Sequence, residues 1–143
     1  MATLAYDQPR AYEGADFKTN DFPVVAADII YEGAAVGDNA SGYARPLVAA
    51  DPFWGFATRK ADNSAGAAGD INVNCRERGY VVLPVVGVTG VGDVGSTVYA
   101  SDDNTFTLTA GANTDIGKVD RYIGTPGTTY CLVYFEADTV QSL

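Results

Sequence analysis

Apolar residues in this chain recur at a spacing of two or in short unbroken runs, and no stretch sustains a helical spacing over three turns. Alternation is cleanest in Asp70-Ile71-Asn72-Val73-Asn74-Cys75-Arg76, which predicts a half-buried strand with Ile71, Val73 and Cys75 facing inward. Thr105-Phe106-Thr107-Leu108-Thr109 alternates in the same way. Together with Thr97-Val98-Tyr99-Ala100 and the turn residues Asp102-Asp103-Asn104, it predicts a β-hairpin over residues 96–110. Residues 80–86 and 130–135 are apolar at successive positions and read as strands covered on both faces. Shorter runs at Val24-Val25, Ile29-Ile30, residues 43–48 and residues 116–123 add further strands. Pro46 and Pro84 fall inside two of these runs and mark a sheet edge or a bulge. About eight short strands, with turn signals every ~8–12 residues, predict an all-β domain, a small barrel or sandwich, over residues 23–136.

Outside that span the pattern fails. Residues 1–22 carry Pro9, Gly14 and isolated aromatics at Tyr6, Tyr12, Phe17 and Phe22, with no strand or helix period. They read as an extended N-terminal arm whose aromatics dock either on a foreign surface or on their own domain. Residues 137–143 read as a short polar tail, and residues 63–69 as a mobile loop of small residues. In Phe53-Trp54-Gly55-Phe56-Ala57, Phe56 is assigned to the core and Trp54 to either the core or an interface. The candidate contacts with a partner surface or a second subunit are therefore Tyr6, Tyr12, Phe17, Phe22 and Trp54.

A chain of 143 residues, 47% hydrophobic, is long enough for one domain with a sizeable core despite 16 glycines. Charged residues are 19%, below the roughly 25% of an average domain, which leaves much of the surface neutral and suits packing against other proteins. The net charge is −9, and the nine Lys and Arg are scattered; no basic footprint is present for nucleic acid or an anionic membrane. No segment has the composition of a signal peptide or a transmembrane helix, so synthesis in a cytosol is expected. Cys75 and Cys131 form no CxxC pair; they read as buried thiols or as a bridge between neighbouring strands.

Candidate chemistry is sparse. The chain has no histidine, which removes the commonest general base and metal ligand. Gly87-Val88-Thr89-Gly90-Val91-Gly92 lacks both the GK[ST] ending of a phosphate loop and a following helix, and reads as a turn. Asp102-Asp103-Asn104 lacks the spacing and closing Glu of a calcium loop and is explained by turn hydrogen bonds. No serine occupies a GxSxG elbow. No catalytic residue, cofactor or metal is predicted, and the chain is read as a non-enzyme.

A series of short motifs then occurs in a telling order. Ile29-Ile30-Tyr31-Glu32-Gly33, Gly42-Tyr43-Ala44 and Gly55-Phe56-Ala57 come first, followed by Asp70-Ile71-Asn72-Val73 and Gly87-Val88. Gly95-Ser96-Thr97-Val98-Tyr99-Ala100, the 105–109 strand and Ile116-Gly117-Lys118-Val119 complete it. Over residues 24–136 this series resembles the capsid cement, or head decoration, proteins of tailed bacteriophages. The resemblance implies a compact β-barrel or sandwich that assembles as a symmetric oligomer, a homotrimer or alternatively a dimer. It implies binding of the major capsid protein on the outer surface of the expanded head of the virion, stabilising the shell against DNA pressure. The alternative is a glycan- or receptor-binding module of a phage tail or fibre, gripping through the Phe53-Trp54 region.

Overall fold

The computed structural model describes residues 3–141, with residues 15–17, 140 and 141 described by their backbone alone. It is all-β. The strands are β1 (Tyr12–Pro23), β2 (Asp28–Ile30), β3 (Ala35–Asp38), β4 (Ala44–Pro46), β5 (Phe53–Ala57), β6 (Ala61–Asn63), β7 (Asn72–Val86), β8 (Thr97–Ala100), β9 (Phe106–Thr107), β10 (Thr114–Tyr122) and β11 (Tyr130–Glu136). One four-residue helix, α1 (Asp138–Gln141), follows.

β7 organises the molecule. Its 15 residues, about 50 Å of extended chain, alternate between buried and less buried positions throughout. The inward positions run from Val73 through Cys75, Glu77, Gly79, Val81 and Leu83 to Val85. The pattern predicts two strands here, broken at Glu77-Arg78-Gly79, but the structure makes one. Gly79 supplies a backbone angle of φ +145° in mid-strand, which a side chain would resist.

One edge of β7 carries β1, from Tyr12 opposite Val81 to Pro23 opposite Asn72. The other edge carries β5 at Cys75 and Arg76, then β11 over residues 78–84. β11 pairs with β10, β10 with β8, β8 with β9, and β9 runs parallel to β7 at Val85 and Val86. These five strands close into a barrel. The remainder of the sheet extends from β7 through β5 and β3 to β4, and β2 pairs with β6 separately.

Two cores follow. The barrel interior packs Val81, Leu83, Val98, Ile116, Val133 and Phe135 against Phe53, Phe56 and Phe106. A second cluster under β1 and the first half of β7 gathers Phe22, Val24, Ile30, Val36, Val73 and Cys75. Cys75 and Cys131 are both buried free thiols, one in each cluster. Both prolines occupy positions that need no ladder donor. Pro46 lies in β4, the last strand of the sheet path. Pro84 faces the gap between residue 11, whose carbonyl takes the Val82 N–H, and β9, whose pairing starts at Val85.

Three expectations need correction. Residues 12–22 are not an arm but most of β1, whose period is hidden because residues 14–17 bulge outward. Glu13 opposes Tyr80 and Lys18 opposes Arg78, so five steps on one strand meet two on the other. The loop at 63–69 is fastened. Asn63, 3% exposed, donates from Nδ2 to the carbonyls of Val25 and Ala67, and Gly69 N–H bonds to Val24 O. The closing tail packs as well: Ala137 is buried, its N–H on Glu77 O at 2.7 Å.

Candidate functional site

Residues 3–11 form a strap laid over the barrel. Asp103, 1% exposed, accepts Thr3 Oγ1 at 2.6 Å and the Leu4 N–H at 3.2 Å. Farther along, Gln8 N–H bonds to Glu32 O, and Asp7 Oδ1 accepts the Glu32 N–H. Arg10 Nε donates to Gly33 O at 2.8 Å and its Nη2 to Asn104 Oδ1 at 2.9 Å, with the guanidinium 5.5 Å from the Phe106 ring centroid. Strap residues Pro9 and Arg10 line the same cleft as Val82 and Pro84, giving the outward positions of β7 a cover. The Asp102-Asp103-Asn104 triplet is thus both a turn, with Asn104 N–H on Asp102 Oδ1 at 2.8 Å, and the strap's fastening. Burial pushes the Asp103 carboxyl above the usual aspartate range, against the hydrogen bonds from Thr3 and Leu4.

The five predicted contact residues separate. Phe22 is buried and stacks on half-buried Trp54, with centroids 4.4 Å apart. Tyr12 packs in the barrel cluster against Phe135 and under the Arg76 guanidinium, 4.1 Å from its centroid. Burial pushes its hydroxyl up to about 12. Phe22 is therefore a core residue of β1 and Tyr12 a half-buried ring packed against the barrel core; β1 turns both rings onto the domain's own apolar surface. The Phe17 side chain lies outside the described residues. Tyr6, on the strap, is 65% exposed.

Exposed apolar surface lies elsewhere, at residues missed by the sequence reading. Val91 is 76% exposed, Val86 54% and Val94 50%. Val91 and Val94 stand at a short 3₁₀ turn whose acid is folded inward: Asp93 Oδ2 accepts the Thr89 N–H at 2.8 Å and the Gly90 N–H at 3.3 Å. Those bonds, the Thr89 amide first, hold the Asp93 carboxyl below its ordinary range. Val94 continues into an open groove of about 380 Å³ lined also by Tyr80, Lys118, Asp120 and Tyr134. The two tyrosine rings lie 5.1 Å apart, and Tyr134 Oη donates to Glu136 Oε2 at 2.9 Å. A partial signal was present in the sequence: Val91 and Val94 fall among glycines outside any strand, although Val88 of the same stretch is buried in the barrel cluster.

The buried carboxylates are committed to structural bonds. Asp51 takes a bidentate pair from Arg45, at 3.0 and 2.8 Å, with the Val48 N–H. Asp103 holds the strap, and Glu77 binds Lys18, Asn20 and Thr139. Among the described residues no group of three or more His, Cys, Asp or Glu is placed to hold a metal ion. No helix among them is long and apolar enough to cross a membrane.

No family model matches the chain, and no curated protein matches it.

Proposed function

We infer that this protein is a capsid cement protein of a tailed bacteriophage, a non-enzymatic structural protein that binds the outside of the expanded head and bridges major capsid subunits. The observation carrying this reading is the pair of exposed valines at one turn, Val91 and Val94, an apolar patch that leads through Val94 into a tyrosine-lined groove on an acidic protein. Such a patch suits a protein partner and is ill-suited to nucleic acid. A homotrimer at local threefold positions, or a dimer across twofold positions, would engage several capsid subunits at once, and modest contacts then multiply through effective concentration. Tyr6, 65% exposed on the strap, supplies a second contact.

The test is co-pelleting of purified protein with phage heads lacking it, comparing expanded shells with unexpanded precursors. Saturable binding to expanded shells, with raised heat resistance, supports the role; absence of binding to both forms overturns it. Truncating residues 2–20 is not a usable probe of the strap, since it removes most of the 12-residue β1; Tyr6→Ser leaves the strand intact. For the tail or fibre module, Trp54 is the relevant ring. Phe22 already occupies one of its faces, so a glycan would have to stack on the other. Titration of host polysaccharide against Trp fluorescence distinguishes the two readings.

A further inference from the structure

The side chain of Glu77 is 0% exposed at an inward position of β7, among residues that are otherwise apolar or glycine. A carboxylate there persists only if its oxygens are occupied. Two segments occupy them. From β1, Lys18 Nζ binds Oε1, and Asn20 Nδ2 lies 3.4 Å from Oε2. From α1, Thr139 Oγ1 donates to that same Oε2. The backbone carbonyl of Glu77 takes the Ala137 N–H at 2.7 Å, at the entry to α1. Lys18 is the residue at which β1 rejoins β7 after the 14–17 bulge. One buried anion therefore anchors both the return of the bulge and the start of the last helix.

We propose that Glu77 is a clasp coupling these two surface segments, so that the 14–20 stretch of β1 and α1 open and close as one unit. The physical reason is the cost of a partly satisfied buried charge. When α1 lifts away, Oε2 loses its hydroxyl donor and the remaining contacts must carry the whole desolvation of the carboxylate. Water entering where α1 stood then solvates the carboxylate and screens its attraction to Lys18, which loosens the β1 side. The same holds in reverse when Lys18 leaves. Two sites that share one such group are linked reciprocally: a partner that pulls on either segment loosens the other. This coupling is independent of what the partner is and goes beyond the cement reading.

Native-state amide exchange on the full chain tests it, with Thr139→Val and Lys18→Met as variants. Thr139→Val, a change in α1, should speed exchange of the amides at 18–22 by about tenfold, within the usual range of such couplings, and leave β11 unchanged. Lys18→Met should speed exchange of the Ala137 amide to a similar degree. In a Glu77→Gln background, both cross-effects should vanish. If each substitution alters only its own segment, or if the cross-effects persist in Glu77→Gln, the clasp is overturned. Should Glu77→Gln fail to fold, the reciprocity of the two single variants decides the matter.

Discussion

Phe22 and Trp54 stack with an interplanar angle of 21°, joining β1 to the outward side of β5. This contact converts what the sequence presents as a loose aromatic end into part of the fold. Its energy is measurable by a double-mutant cycle. Phe22→Ala should cost about 3 kcal/mol, the usual loss for a buried phenylalanine. The coupling to Trp54→Ala should be about 1 kcal/mol. Urea unfolding of the four proteins gives both values, and a coupling near zero would show that each ring merely fills space.

Lys18 and Glu77 make a pair in which one partner is sealed and the other is 46% exposed. Lys18→Met should destabilise by about 2 kcal/mol, less than the ~3–5 kcal/mol for a wholly buried pair because solvent screens the lysine. The pH dependence has a definite sign. Burial opposes ionisation of Glu77, but the hydrogen bonds from Lys18, Thr139 and Asn20 outweigh it and hold the carboxyl below its ordinary range. The associated stability is present above the ordinary glutamate value and is lost as pH falls through the lowered folded-state value. Thermal melts from pH 7 to pH 3 should show this loss in the wild type and a smaller one in Glu77→Gln.

Asp103 behaves with the opposite sign. Its folded-state value is raised, first by burial, so stability tied to it is full below the ordinary aspartate range and declines as pH rises through the raised value. Asp103→Asn keeps an acceptor for Thr3 and Leu4 while removing the buried charge. It should be no less stable than wild type at pH 7 and should lose the pH-dependent decline. Asp103→Ala removes the acceptor too, and limited proteolysis should then cut within residues 3–11 faster than in Asp103→Asn.

Val91 and Val94 stand in solvent, so Val91→Asp with Val94→Asp should change stability by no more than about 0.5 kcal/mol. In the co-pelleting assay the same double variant should lose most of its attachment to expanded shells. Unchanged attachment would move the contact surface away from the 87–95 turn.

Much of the strand content was legible because it depends on local alternation. The hairpin over residues 96–110 appears as β8 paired with β9, and the 130–135 run as β11. Phe56 is in the core as expected. β1 was not legible, because its bulge breaks the period between Tyr12 and Phe22. The contact candidates fared unevenly for the same reason. An aromatic in an unpatterned stretch looks available, and only pairing with β7 reveals that Tyr12 and Phe22 already have partners.

What the sequence by itself determined is the all-β class, the turns, the alternation of β7 before residue 77, and the lack of histidine and of a basic footprint. These follow from backbone preference and composition, which act locally. The tertiary structure alone decided that β7, β11, β10, β8 and β9 close into a barrel, that residues 3–11 lie as a strap on Asp103, and that Glu77 is sealed between β1 and α1. Each of these joins residues far apart in the chain: Thr3 with Asp103, and Glu77 with Thr139. A carboxylate's solvation depends on which distant donors fold onto it, and no local pattern encodes that.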